Sequence, residues 1–283
     1  MPDILVQTAE LAAHLSDPDW IVLDCQHDLM NHHLGRESYA RGHIPGAQFV
    51  DMEADMAGAK TGRNGRHPLP APEAMIATFG RLGITAGKRV VAYDNSQNTY
   101  AGRVWWSLRY MGHANVAVLD GGLGKWVAEG RPLGTDVPAA RPATFSGRPN
   151  DAMKVEVEAI VAGLGRPGMT VIDARTAERY AGQQEPIDPV AGHIPGAKLR
   201  FWKDNINPDG TYKSAAELRA AFMALAGDRP SSEIVHQCGS GVSACHNLIA
   251  MEIAGLTGSR LYPGSWSEWC ADPARPVARS MTP

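Results

Sequence analysis

The 283-residue chain is 44% hydrophobic and 20% charged, and its formal net charge is −3. That length suits two domains of roughly 140 residues, while the weakly acidic charge, with no polybasic tract, excludes an electrostatic footprint for nucleic acid or a membrane surface. The sequence also lacks a signal-peptide pattern at its start, an apolar run near the roughly 20 residues that span a bilayer, and a regular cysteine spacing, so we expect a soluble, cytoplasmic protein without a membrane or nucleic-acid partner.

The predicted elements follow the same order in both halves of the chain. In the first half, apolar periodicity predicts helices at 9–15, 72–82, 100–111 and around Trp126, with Thr8 as the first cap, and strands at 21–24, 89–93 and 115–119. In the second half it predicts helices at 157–164, 215–226, 244–255 and around Trp269, and strands at 170–173, 233–236 and 260–262. Short apolar strands that alternate with helices predict an α/β fold, in which each domain has a parallel sheet covered by helices on both faces.

An internal repeat defines the domains. Residues 42–47 read Gly-His-Ile-Pro-Gly-Ala, and residues 192–197 repeat this hexapeptide. Two copies of one module therefore lie in tandem. We predict a first domain over 1–130, a proline-rich linker over 131–150 and a second domain over 151–283.

The most informative stretch is residues 233–245, Glu-Ile-Val-His-Gln-Cys-Gly-Ser-Gly-Val-Ser-Ala-Cys. It predicts a strand, a tight loop beginning at Cys238, and a helix. The glycines of the loop permit positive φ angles that turn successive N–H groups inward as an anion-binding nest, and the helix dipole adds to it. A thiol in such a nest is expected to ionise easily. The first copy has Asp94 in the matching position, so we expect the first domain to be catalytically silent.

Residues 238–244, Cys-Gly-Ser-Gly-Val-Ser-Ala, resemble the active loop of 3-mercaptopyruvate sulfurtransferases, which belong to the rhodanese superfamily. The repeated hexapeptide extends the resemblance, to tandem rhodanese-like sulfurtransferases, over nearly the whole chain. The family usually has threonine where Ser243 stands, and serine keeps the hydroxyl. The resemblance implies that Cys238 carries sulfane sulfur as a persulfide without any cofactor, and that four neighbours bind the substrate: Gly239, Gly241, Val242 and Ser243.

The resemblance also implies roles outside the nucleophile loop. Arg179 matches the arginine that holds the carboxylate of the donor. Ser240, His67 and Glu53 match the serine, histidine and acid that handle protons, the last two reaching across the cleft from the first domain. Arg175 is expected to brace its own loop through an ion pair. The implied partners are a small-molecule sulfur donor and a thiol, cyanide or thioredoxin-type acceptor.

The identity of the donor stays open. Thiosulfate-preferring rhodaneses carry basic residues after the nucleophile, and the neutral Gly239 and Ser240 favour 3-mercaptopyruvate instead. The family usually places a second arginine after a Glu-Pro pair, however, and this chain has Ile187 there, which leaves thiosulfate possible. A persulfide-carrier module without a small-molecule donor is a further alternative. A cysteine-dependent phosphatase is disfavoured because Ala244 stands where the phosphate-binding arginine would be.

The histidines of the chain predict no metal site. His27, His32, His33 and His43 have no ligand spacing that we can recognise. His43 and its repeat counterpart His193 are expected to be structural, because both domains have this histidine and only one has the thiol.

Overall fold

The computed structural model describes residues 3–139 and 141–280; residues 1, 2, 140 and 281–283, which fall within the predicted domain and linker ranges, lie outside the described residues. Contacts divide the described residues into two compact units. The first unit comprises Met1–Gly58, Pro70–Asn150 and Asn207–Tyr212, and the second comprises Ala59–Leu69, Asp151–Ile206 and Lys213–Pro283. The short segment Ala59–Leu69 therefore packs with the second half of the chain.

The first unit contains a sheet of five parallel strands in the order β1-β5-β4-β2-β3. These strands are β1 (Leu5–Val6), β2 (Trp20–Asp24), β3 (Gln48–Phe49), β4 (Arg89–Tyr93) and β5 (Val116–Leu119). Its helices are α1 (Thr8–Ala13), α2 (His33–Arg41), α3 (Pro72–Arg81), α4 (Ala101–Tyr110) and α5 (Gly122–Ala128). The central strands β2 and β4 are apolar and almost wholly buried, as expected for strands with helices on both faces.

The second unit contains four parallel strands in the order β7-β6-β8-β9. They are β6 (Thr170–Asp173), β7 (Lys198–Leu199), β8 (Ile234–Gln237) and β9 (Arg260–Leu261). Its helices are α6 (Val157–Gly163), α7 (Ala177–Tyr180), α8 (Ala215–Ala226), α9 (Ala244–Ile253) and α10 (Ser265–Trp269), with 3-10 turns at Asp151–Met153, Trp202–Asn205 and Ser231–Glu233. The predicted α/β fold with two tandem parallel sheets is confirmed.

Two local features differ from the sequence predictions. Thr8 does not cap α1: it is the first helical residue, and its hydroxyl donates to Glu129 instead. Helix α2 was not predicted because only Gly35 and Tyr39 of its residues are buried, which leaves no apolar stripe to recognise. Helix α2 nevertheless packs closely against the segment that follows β2, since a Cβ at Gly35 would lie 2.3 Å from the carbonyl oxygen of Gln26.

The repeated turn histidines are structural in both units. His43 Nδ1 lies 2.8 Å from the Tyr39 carbonyl, and its ring stacks on the Tyr39 ring. His193 Nδ1 likewise lies 2.8 Å from the Tyr180 carbonyl and stacks on that tyrosine. Both rings are almost fully buried. This equivalence explains the repeated hexapeptide without any catalytic role for its histidine.

The residues predicted to form the linker lack helices and strands where they are described, but they pack against the first unit. Gly134 pairs with His43 through two backbone hydrogen bonds, and Phe145 is buried edge-on against Phe79. Across the described residues, no helix combines the length and the apolar character needed to cross a membrane.

Candidate active site

The nucleophile loop begins directly after β8, at the carboxyl edge of the second sheet. Cys238 is 2% exposed. The Cys238 amide donates to Ser265 Oγ (3.1 Å), and the Cys238 carbonyl accepts from the Trp266 amide (3.0 Å). Gly239 accepts similarly from Ser267 (2.9 Å). The start of α10 thus fixes the carbonyl side of the loop, which leaves the amide side available for a ligand.

The loop has the features of an anion-binding nest. Gly241 has a φ of 76°, and a Cβ there would lie 2.2 Å from the Pro263 carbonyl oxygen, so only glycine fits. In the described part of the chain, the amides of Ser240, Val242 and Ser243 donate to no acceptor. Buried amides need a partner, and a thiolate or persulfide beside them would supply one.

The corresponding nest of the first unit is already filled. Asp94, which follows β4, is fully buried, and its carboxylate accepts hydrogen bonds from four backbone amides at 2.7–2.9 Å: those of Ser96, Asn98, Tyr100 and Ala101. Burial raises the pKa of Asp94, although these four hydrogen bonds oppose the shift. The Asp94 side chain occupies the amides that a bound anion would need, and a carboxylate cannot form a persulfide.

His67 and Ser240 form a buried hydrogen-bonded pair in the second unit. His67 Nδ1 lies 2.7 Å from Ser240 Oγ, and the two residues are 3% and 5% exposed. The segment that carries His67 is anchored by the Arg66 amide, which donates to Ser267 Oγ (3.0 Å). An imidazole that shares a proton with a hydroxyl next to the nucleophile is suited to proton transfer near neutral pH.

Two guanidinium groups converge on the nucleophile loop. A Cβ built on Gly239 would lie 2.7 Å from Arg66 Nη2 and 3.4 Å from both terminal nitrogens of Arg179. Arg179 was predicted from the sequence, but Arg66 was not. Its only signal in the sequence was its position directly before His67, and its approach to Gly239 is a tertiary contact.

The two arginines are held by two buried carboxylates. Arg179 pairs with Glu185 (2.7 Å) and Asp188 (3.1 Å), and Arg66 pairs with Asp188. The carboxylate side chains are only 3% and 2% exposed, whereas those of Arg66 and Arg179 are 25% and 16% exposed. The accessible side of this cluster is therefore cationic, although its formal charges balance.

Two neighbouring positions make contacts that stabilise the same loops. Where a second arginine was expected, the amide of Ile187 donates to Glu185 (3.1 Å). Arg175 braces its loop as predicted: its buried guanidinium pairs with Asp173 (2.7 Å), donates to the Gly192 carbonyl and lies over the Trp266 ring.

Glu53 belongs to the first unit. Its amide donates to Asp51 (3.0 Å), and its carboxylate lies 3.3 Å from His32 Nδ1. In the second unit the structure brings together Cys238, Arg179, His67 and the predicted loop residues Gly239, Ser240, Gly241, Val242 and Ser243.

The model of the rhodanese-like domain matches this chain twice, at residues 7–129 and 156–272. The chain is 44% identical to a protein named a probable 3-mercaptopyruvate sulfurtransferase from Pseudomonas aeruginosa, over 97% of each chain. It is 34% identical to the thiosulfate sulfurtransferase of Mus musculus, over 94% of this chain and 91% of that protein. SseA from Escherichia coli, described as a 3-mercaptopyruvate sulfotransferase, superposes with a TM-score of 0.81 and 30% identity, over 93% of this chain and 98% of that one. This chain therefore belongs to the rhodanese-like domain family, as a sulfurtransferase built from two such domains.

Proposed function

We propose that the enzyme transfers sulfane sulfur from 3-mercaptopyruvate, through a persulfide on Cys238, to a thiol, cyanide or thioredoxin-type acceptor. The observation that carries this proposal is the His67–Ser240 pair beside the nucleophile (2.7 Å). Once its sulfur is transferred, mercaptopyruvate leaves as the enolate of pyruvate, which must take up a proton, and this pair can deliver one. The four free cysteines fit a reducing compartment such as the cytoplasm.

The first half-reaction forms the persulfide. The Cys238 thiolate attacks the sulfur of mercaptopyruvate, a sulfur–sulfur bond forms, and the carbon–sulfur bond breaks with its electron pair going to carbon. The resulting enolate takes a proton through Ser240 and His67 and leaves as pyruvate. The family resemblance assigns Glu53 as the acid of this relay. The amides of the loop stabilise the charge on sulfur in the intermediate.

The second half-reaction regenerates the thiolate. An acceptor thiolate or cyanide attacks the outer sulfur of the persulfide and leaves Cys238 as the anion. Because a covalent intermediate divides the reaction, the kinetics are expected to follow a two-stage, ping-pong scheme. No cofactor enters either step.

Arg179 and Arg66 bind the carboxylate of the donor in this proposal. Their exposed guanidinium groups lie over Gly239, beside the nucleophile. Charge-assisted hydrogen bonds from two arginines would orient mercaptopyruvate with its sulfur towards Cys238. Arg66 thus takes the role for which the family uses an arginine in the position of Ile187.

Removing either arginine is expected to raise the KM for mercaptopyruvate. Losing a hydrogen bond to a charged group costs roughly 1.5–3 kcal/mol, or about ten- to hundredfold in binding. Steady-state kinetics of Arg66→Ala and Arg179→Ala would measure the effect, with Arg63→Ala as the control because that arginine is exposed on the same segment. An unchanged KM in both variants would show that the carboxylate binds elsewhere.

Thiosulfate is the second candidate donor, and the same two guanidinium groups favour it. The loop itself has no cationic side chain, but the guanidinium groups of Arg66 and Arg179 lie beside it. They could compensate both negative charges of thiosulfate. We expect the enzyme to prefer mercaptopyruvate because only that donor uses the His67–Ser240 pair.

The donor preference is expected to be at least about tenfold in kcat/KM, equivalent to ~1.4 kcal/mol of transition-state binding. Steady-state assays with both donors and a common cyanide acceptor would measure it. Equal values would favour a thiosulfate sulfurtransferase. If free mercaptopyruvate released no pyruvate even in a single turnover, the protein would instead be a persulfide carrier.

A further inference from the structure

His27, His32 and Glu53 form a cluster in the first unit that could hold a cation. One ligand atom of each side chain lies within 4.8 Å of those of the other two. His32 Nδ1 and Glu53 Oε1 are 3.3 Å apart, and two ligands of a tetrahedral zinc ion are separated by about 3.3 Å.

His27 carries a second, independent indication of a ligand. The residue is 5% exposed and packs edge-on against the Tyr100 ring at 4.8 Å. Its Nε2 is buried and has no hydrogen-bond partner among the described residues. An unpaired buried polar atom costs about 1–3 kcal/mol, and coordination to a cation would remove that cost.

The cluster also lies where this type of sheet binds ligands. His27 follows β2 and Glu53 follows β3, which are neighbouring parallel strands, so both side chains come from the carboxyl edge of the sheet. The side chains of His32 and Glu53 are 50% and 20% exposed. A cation could enter from solvent, and water could complete its coordination.

We propose that His27, His32 and Glu53 bind one divalent transition-metal ion. Two imidazoles and a carboxylate form a ligand set that suits zinc and similar first-row metals and leaves a coordination position open. Magnesium and calcium are disfavoured, because they prefer oxygen ligands. The site shares Glu53 with the proton relay proposed above, but its test measures zinc binding and does not require sulfur transfer.

The test is a titration of untagged, full-length protein with Zn²⁺ by isothermal calorimetry. The Cys238→Ser background removes the reactive thiol, which would bind zinc itself. We expect one equivalent of Zn²⁺ to bind, and His32→Ala and Glu53→Gln to weaken binding at least about tenfold. His33→Ala is the matched control, since His33 is the exposed neighbour of His32 and lies outside the cluster.

A second measurement checks that any loss of zinc binding in a variant is not caused by misfolding. Zn²⁺ should raise the thermal midpoint of the Cys238→Ser protein and of its His33→Ala derivative, but not that of its His27→Ala derivative. His32 is half exposed, so its replacement should leave the fold intact. The proposal is overturned if no Zn²⁺ binds, if His33→Ala weakens binding as much as His32→Ala does, or if Glu53→Gln and His32→Ala both keep the parent affinity.

Discussion

Replacing Cys238 with serine is expected to abolish sulfur transfer from either donor. A serine hydroxyl can hydrogen-bond in the nest, but it cannot form or carry a persulfide. In the wild-type protein treated with mercaptopyruvate and no acceptor, mass spectrometry of peptides should find one added sulfur on the peptide that contains Cys238. Turnover by Cys238→Ser should fall to the uncatalysed rate.

The other three cysteines provide the controls for this prediction. Burial raises the pKa of Cys270 to about 11 and that of Cys25 well above its usual range, so both stay protonated at neutral pH. Cys245 is fully buried as the second residue of α9, with its thiol directed to the Gly241 carbonyl. Cys245→Ser should therefore keep sulfur loading, and a label on Cys245 in the wild type would contradict the assignment of the nucleophile.

Removing the hydroxyl of Ser240 or the imidazole of His67 is expected to slow the reaction of mercaptopyruvate by about a hundredfold or more. The reaction of thiosulfate should be much less affected. Thiosulfate releases sulfite when its sulfur–sulfur bond breaks, and no carbon atom has to be protonated. Single-turnover release of pyruvate and of sulfite by Ser240→Ala and His67→Asn would measure the two effects.

The cyanide step supplies the control for these variants. Discharge of a preformed Cys238 persulfide to cyanide involves no protonation of carbon, so its rate should stay close to that of the wild type. If both donors were slowed equally, Ser240 and His67 would act by shaping the loop, and the proton-transfer role would be wrong.

The fold followed from local patterns in the sequence. The strands β4 and β8 are apolar, β-branched runs that end at a loop with turn residues, and those patterns are visible without any tertiary information. The two-residue strands β1, β3 and β7 were not predicted because such short segments show no periodicity. Helix α2 was missed for the related reason that it has almost no buried face.

From residue spacing alone, the candidate site was predictable only where its residues share one segment, and Arg179 and His67 were assigned through the family resemblance. Cys238 and the glycines that follow it lie together in the sequence, so their nest could be inferred from spacing alone. Arg66 reaches Gly239 through a contact between distant segments, whereas the family pattern has its second arginine at the position of Ile187. The proximity of His27, His32 and Glu53 is likewise not visible in the sequence, because pairing of β2 with β3 brings these residues together.

The two copies of the module differ in what accepts the hydrogen bonds of the amides that follow the central strand. The first copy carries the acceptor for its loop as part of its own covalent structure, because the Asp94 side chain accepts hydrogen bonds from four backbone amides. In the proposed mechanism, the loop amides of the second copy gain an anionic acceptor when Cys238 carries sulfur. Under the proposed mechanism, one copy of the duplicated fold therefore holds the acceptor for its loop in its own sequence, and the other receives it from the reaction intermediate.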